Sequence, residues 1–211
     1  NHGKSDASWD RWDVDENADV VISILKELGI FSCNIVGWSM GSAVAMSIAK
    51  KNKSLVNKLV LITPFSWLGG AVYSDKVAFK IFVSLVRIRE RLFPNFNPKS
   101  KFSFLRKSNA INDEYTEWAW NNLHKSKDDF IYADGGRFVV PYDARPWIQE
   151  IEAETLVITG GRDKLVPEET SNDVVKRLNE VKVKTFPDAG HSVPWTHEED
   201  LLTELREFFS L

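Results

Sequence analysis

A glycine-flanked serine is the first feature of this sequence that could carry chemistry. The pentapeptide Gly-Trp-Ser-Met-Gly at 37–41 follows an apolar run and opens a stretch of helical character. A Gly-x-Ser-x-Gly segment between a strand and a helix makes a sharp turn that lifts the serine hydroxyl clear of the sheet. The pattern predicts Ser39 as a nucleophile. It also predicts the Met40 N–H, at the start of the helix, as a hydrogen-bond donor to a developing oxyanion.

A serine nucleophile needs a base, and the base needs an acid that orients it. Asp163 ends the segment Gly-Gly-Arg-Asp at 160–163, and His191 ends Asp-Ala-Gly-His at 188–191. Each segment follows a predicted strand. Because the carboxyl ends of parallel strands share one edge of a sheet, we expect Ser39, Asp163 and His191 to meet there. His191 would take the serine proton and return it to the leaving group, while Asp163 orients the imidazole.

Alternating strand and helix patterns supply the elements that would position these residues. The residue pattern predicts strands at 33–36, 58–63, 155–159 and 181–186. Strands separated by helices predict an α/β fold, with a mostly parallel sheet covered by helices on both faces. Four helices are predicted. The first begins at Val14 with a capping box of Asp13 and Glu16 and ends at Gly29, and the second spans 40–50. Pro167 opens the third, and Thr196 and Glu199 cap the last.

The block 64–148 differs from the rest of the chain in composition. It holds 17 of the 25 aromatic residues, and its Pro and Gly residues divide it into short segments. We therefore predict an inserted, mainly helical lid at 64–148 between two parts of a core domain at 1–63 and 149–211. Phe65 and Trp67 follow a predicted strand end, and Trp38 precedes the serine, so these three side chains are predicted to contact the substrate.

Three motifs in this order, at 37–41, 160–167 and 188–192, resemble the α/β-hydrolase fold superfamily. The resemblance covers nearly the whole chain and implies a serine hydrolase that cleaves a carboxylic ester or related acyl bond through an acyl-enzyme. It implies a small apolar, ester-like substrate and no cofactor. Lactonases, thioesterases, acyltransferases and carbon–carbon bond hydrolases of this superfamily use a similar triad, and these activities stay open. A non-catalytic ligand-binding protein on the same scaffold is the alternative of another class.

The beginning of the sequence departs from the superfamily pattern. The segment at 1–6 resembles the loop that follows the fourth strand of such proteins, with Asn1 in place of the usual glycine. We therefore expect a preceding segment, or a complementary chain, to supply further strands and the second oxyanion donor. A weaker alternative is that His2 and Gly3 themselves form the oxyanion loop.

Composition excludes several other classes of function. The chain has 27 Lys and Arg against 30 Asp and Glu among 211 residues, so no basic excess favours nucleic acid. The single cysteine, Cys33, excludes an internal disulfide. No apolar run is long enough to span a membrane, and no His or carboxylate cluster suggests a metal site. We expect a cytoplasmic protein without metal or membrane partners.

Overall fold

The computed structural model describes residues 13–68, 85, 88, 92, 141–166 and 168–211. Within these ranges four parallel strands form one sheet in the order β1-β2-β3-β4. The parallel α/β sheet predicted from the sequence is confirmed. The strands are β1 at Cys33–Trp38, β2 at Val56–Ile62, β3 at Glu154–Gly160 and β4 at Val181–Phe186.

The helices follow the predicted pattern, with one correction. In the capping box of the first helix, Asp13 accepts from the Glu16 N–H at 2.8 Å and Glu16 accepts from the Asp13 N–H at 3.1 Å. The prediction that Thr196 caps the last helix is wrong. Thr196 ends a separate short helix, and His197 occupies the N-cap position of the last helix. Pro167 lies outside the described residues. The helices are α1 at Val14–Glu27, α2 at Met40–Lys51, α3 at Glu168–Arg177, α4 at Val193–Thr196 and α5 at Glu198–Phe209.

Alternation along β2 and β3 divides the apolar core between the two faces of the sheet. On one face Leu59, Leu61 and Val157 pack with buried residues of α1, α2 and α3. On the other face Val60 and Ile158 pack with the buried side chains of α5. Both faces are therefore covered, which fixes the sheet as a rigid platform for the loops at its carboxyl edge.

The two described ends of the 64–148 block are joined at its base. The Ala144 N–H donates to the Ser66 carbonyl at 2.7 Å, and Trp67 forms an antiparallel bridge with Asp143. The chain therefore leaves the sheet after β2 and returns before β3 through one connected pair of segments. Of residues 69–140, only 85, 88 and 92 are described, so the predicted helical lid lies outside the described part.

Candidate active site

Ser39 sits at a tight turn between β1 and α2. Its φ of 53° and ψ of −120° lie in a region that non-glycine residues rarely adopt, so the turn holds strain. Gly37 permits the turn, because a Cβ there would lie 2.4 Å from the Gly41 carbonyl oxygen. The Ser39 N–H donates to the Ile62 carbonyl at 2.9 Å, which ties the turn to β2. These features define a nucleophile elbow.

The structure brings the three predicted triad side chains into one hydrogen-bonded chain. His191 Nε2 lies 2.8 Å from Ser39 Oγ, and His191 Nδ1 lies 2.8 Å from Asp163 Oδ2. The side chains of His191 and Asp163 are both almost fully buried. Ser39, Asp163 and His191 follow β1, β3 and β4, so parallel strand ends deliver all three to one edge. A hydroxyl, an imidazole and a carboxylate in this arrangement can transfer a proton from serine to histidine.

The second oxygen of Asp163 is also bound. Asp163 Oδ1 accepts from the backbone N–H groups of Leu165 at 2.8 Å and Val166 at 3.0 Å. The carboxylate is therefore fixed on both sides, with Oδ2 directed at the imidazole. The sequence predicted Asp163 but not these two donors. Their only sequence signal is that Leu165 and Val166 follow Asp163 by two and three positions.

Two glycines let the loops of the acid and the base lie against each other. A Cβ on Gly160 would lie 2.3 Å from the Gly190 carbonyl oxygen, and one on Gly161 would lie 2.6 Å from the Pro187 carbonyl oxygen. The Arg162 N–H also donates to the Ala189 carbonyl at 2.8 Å. The backbones that carry Asp163 and His191 are thus held in direct contact.

Met40 begins α2, directly after the nucleophile. The first N–H groups of a helix have no partner within the helix, so the Met40 N–H is suited to bind an oxyanion beside Ser39. The Met40 side chain packs against a buried cluster that includes Ala43 and Val166. This contact fixes the direction of the first helical turn.

The three residues predicted to contact substrate have different surroundings. Trp38 donates its indole N–H to the His191 carbonyl oxygen at 3.0 Å. Phe65 is only 1% exposed and packs edge-on against Tyr142, with ring centroids 5.8 Å apart. Other side chains therefore enclose the Phe65 ring, and its contact with substrate stays a prediction. Trp67 lies at the base of the insertion, with the Arg145 guanidinium 4.6 Å from its ring centroid.

Two charged pairs lie outside the triad. Asp143 accepts from two guanidinium nitrogens of Arg145, at 2.8 Å and 2.6 Å, and this bonding holds the pKa of Asp143 below its usual value. Asp188 lies 3.2 Å from His197 Nε2. Hydrogen bonding to its own backbone N–H and then to His197 lowers the Asp188 pKa.

The described residues contain neither a metal-binding cluster nor a membrane-spanning helix. Across 13–68, 141–166 and 168–211, no three His, Cys, Asp or Glu side chains group as they would around a metal ion. Within the part of the chain that the structure covers, no helix combines the length and apolar character needed to cross a bilayer.

A parallel sheet with a nucleophile elbow and acid and base loops at its carboxyl edge defines the class of protein. A family model described as alpha/beta hydrolase fold matches residues 1–198. The chain belongs to the α/β-hydrolase family, as the sequence motifs predicted.

Two curated relatives are hydrolases that are each 27% identical to this chain. One is a 2-hydroxy-6-oxo-6-phenylhexa-2,4-dienoate hydrolase of Burkholderia cepacia, 27% identical over 194 residues. Another is a 2-hydroxy-6-oxononadienedioate/2-hydroxy-6-oxononatrienedioate hydrolase of Comamonas testosteroni, also 27% identical over 194 residues. Both matches include 87% of this chain but only 64% of the relative, so the chain spans less than two thirds of these relatives.

Solved structures share the fold at lower sequence identity. An esterase from Exiguobacterium antarcticum superimposes with a TM-score of 0.81 at 19% identity, covering 100% of this chain and 78% of the esterase. An enol-lactonase from Burkholderia xenovorans LB400 gives a TM-score of 0.75 at 16% identity, with 100% and 78% covered. At these identities the likeness shows the fold alone.

Proposed function

We propose that this protein is a serine hydrolase that cleaves a carboxylic ester or a related acyl bond through an acyl-enzyme. One observation carries the proposal: Ser39, His191 and Asp163 form an unbroken hydrogen-bonded chain with both links at 2.8 Å. A ligand-binding protein on this scaffold would have no need for all three groups in this geometry. The buried imidazole and carboxylate give proton transfer a fixed path.

In the proposed mechanism, Ser39 Oγ attacks the substrate carbonyl while His191 Nε2 takes its proton. The Met40 N–H stabilises the oxyanion, and His191 then protonates the leaving group. Water hydrolyses the acyl-enzyme by the same proton transfers in reverse order. Asp163 keeps the imidazole in the tautomer whose Nε2 can accept the serine proton.

We also propose that residues 64–148 form a lid that selects the substrate. The insertion begins after β2 and ends before β3. The carboxyl ends of these two parallel strands lie at the same edge of the sheet as Ser39. Side chains of such an insertion would therefore stand over the nucleophile. Its many aromatic residues favour a small, apolar substrate.

Carbon–carbon bond hydrolysis is the second candidate, and the curated relatives favour it. The name of the Burkholderia cepacia relative specifies a 6-oxo group next to a dienoate. In such a compound the nucleophile attacks a ketone rather than an ester. The leaving group is then a carbon atom. For its electron pair to be delocalised, the 2-hydroxydiene must first tautomerise to the 2-oxo form, in which the 2-hydroxyl proton has moved to C5. When the C5–C6 bond breaks, the electron pair moves onto the C2 oxygen, which is then protonated. Addition to a carbonyl and stabilisation of an oxyanion are common to both reactions.

A substrate comparison with the purified chain tests both candidates. Hydrolysis of p-nitrophenyl esters, from acetate to octanoate, would be measured beside the absorbance loss of 2-hydroxy-6-oxo-6-phenylhexa-2,4-dienoate. Turnover of the esters that Ser39→Ala abolishes supports acyl-bond hydrolysis. Serine-dependent turnover of the dienoate alone assigns carbon–carbon bond hydrolysis. Binding of either compound with no turnover by the wild type contradicts both and favours the ligand-binding class.

The edge of the sheet at β1 leads to a further proposal about partners. Within the described ranges β1 pairs with β2 on one side, while Val36 is 47% exposed and nearby Phe31 is 71% exposed. An apolar strand edge of this kind favours association. We propose that β1 pairs with another strand, supplied by polypeptide outside the described residues or by a complementary chain.

A further inference from the structure

Trp38 connects the nucleophile elbow to the loop of the catalytic base. It is the last residue of β1 and directly precedes Ser39. Its indole Nε1–H donates to the carbonyl oxygen of His191 at 3.0 Å, across 153 positions of sequence. The bond reaches the backbone of the same residue whose imidazole meets Ser39. The hydroxyl and the imidazole are therefore linked twice, once directly and once through Trp38.

The indole ring also packs within an aromatic group at the same place. Its centroid lies 5.6 Å from the His191 ring and 4.8 Å from the Trp195 ring. Trp195 belongs to α4, which follows His191 directly in the chain. The indole thus packs near both the imidazole and the helix that continues the base loop.

The strand order shows why this contact matters for the distance between the imidazole and Ser39. The Asp163 and His191 loops follow adjacent strands β3 and β4 and touch backbone to backbone, whereas Ser39 follows β1, two strands away from β3. The distance from the imidazole to Ser39 therefore depends on contacts that cross the sheet edge. The Trp38 bond is such a contact and acts on the backbone that sets the position of the imidazole.

We propose that Trp38 is a positioning residue. Its indole N–H holds the His191 backbone in the position that keeps Nε2 within hydrogen-bond distance of Ser39. This role deepens the proposed function and rests on it. It replaces the substrate contact predicted for Trp38 from the sequence. A positioning role affects the chemical step with every substrate, whereas a substrate contact affects KM and depends on the acyl group.

The test removes the N–H and keeps the ring. Trp38→Phe retains an aromatic side chain, and replacement of Trp38 by 3-benzothienylalanine keeps the bicyclic shape with sulfur in place of N–H. Trp195→Phe is the matched control, because it removes an indole from the same aromatic group and leaves the bond to the His191 carbonyl in place. The readouts are kcat and KM for a short and a long ester, and the rate at which a small fluorophosphonate labels Ser39.

Both Trp38 variants are expected to lower kcat and the labelling rate about fivefold, the ratio that corresponds to one lost hydrogen bond of roughly 1 kcal/mol. KM for both esters stays within about twofold of wild type, and the control changes kcat by less than twofold. An unchanged labelling rate with a KM that rises for one ester only would overturn the proposal and assign Trp38 to substrate binding. Equal losses in Trp195→Phe would overturn it in favour of aromatic packing.

A second measurement does not depend on turnover. The proton shared by His191 Nδ1 and Asp163 gives a downfield resonance in the 1H NMR spectrum when the imidazole is held in place. We expect this resonance in wild type and in Trp195→Phe, and its broadening by exchange in the 3-benzothienylalanine variant. A sharp resonance in that variant would overturn the positioning role even if no ester is hydrolysed. Absence of turnover with the expected NMR pattern would instead contradict only the proposed function.

Discussion

Replacing Asp163 by Asn tests how the acid controls the base. Both carboxylate oxygens are used: Oδ2 faces His191 Nδ1 at 2.8 Å, and Oδ1 accepts from the Leu165 and Val166 N–H groups. An amide has one oxygen and one NH2. If the amide oxygen faces the two backbone donors, its NH2 faces Nδ1 and drives the proton to Nε2. An imidazole protonated at Nε2 cannot accept the proton of Ser39.

The opposite amide orientation would restore the productive tautomer but leave two backbone donors facing an NH2 group. Each buried donor left unpaired costs about 1–3 kcal/mol, so this orientation is disfavoured by roughly 2–6 kcal/mol. At 1.36 kcal/mol for each factor of ten, Asp163→Asn is expected to lower kcat by about 30-fold to 10⁴-fold. The folded structure has nearly the same shape, so the melting temperature changes little.

Ester hydrolysis and fluorophosphonate labelling of Ser39 measure this effect. Asp188→Asn is the matched control, because Asp188 is another carboxylate of the base loop with a side chain 68% exposed and bound to His197 rather than His191. The control is expected to keep kcat within about twofold of wild type. A kcat for Asp163→Asn within threefold of wild type, with the fold intact, would refute the tautomer argument.

Four further changes test other parts of the structure. Ser39→Ala and His191→Ala are each expected to abolish most hydrolysis, and the double variant to lose little more; strictly additive losses would contradict a shared mechanism. Phe65→Ala should lower the free energy of unfolding, measured by urea denaturation, by about 3–5 kcal/mol because the ring is buried. Normal stability with altered ester selectivity would contradict this core role and support the predicted substrate contact. Asp143→Asn should lower the melting temperature at neutral pH, and the difference from wild type should vanish as pH falls through the lowered Asp143 pKa, since protonation removes the same charge; a difference independent of pH would contradict the charge effect. Val36→Lys should reduce self-association in sedimentation velocity by charging the strand edge; self-association that Val36→Lys leaves unchanged would contradict association through this edge.

The sequence predicted the sheet and the meeting of Ser39, Asp163 and His191 because both depend on local patterns. The predicted strands at 33–36, 155–159 and 181–186 end three to five residues before Ser39, Asp163 and His191. Parallel pairing then brings the three strand ends together, whatever the details of packing. The capping box of α1 is equally local, since its two hydrogen bonds join residues three positions apart.

Contacts between distant segments could not be predicted in the same way. The Trp38 indole meets a carbonyl 153 positions away, and Phe65 is enclosed by Tyr142 from the other end of the insertion. No spacing in the sequence encodes either contact. The start of the last helix was misplaced because Thr196 and Glu199 match a capping box, while Pro194 favours a separate helical turn ahead of it.

Covalent labelling of Ser39 tests the central claim most directly. The purified chain would be treated with a small fluorophosphonate, and its intact mass would be measured by mass spectrometry. Proteolysis and peptide mass spectrometry would then locate the labelled residue. The Ser39–His191–Asp163 arrangement predicts one phosphonyl group per chain, located on Ser39, with labelling slowed more than 100-fold in His191→Ala. Labelling of another residue, or of Ser39 at the same rate without the imidazole, would contradict a triad-activated nucleophile.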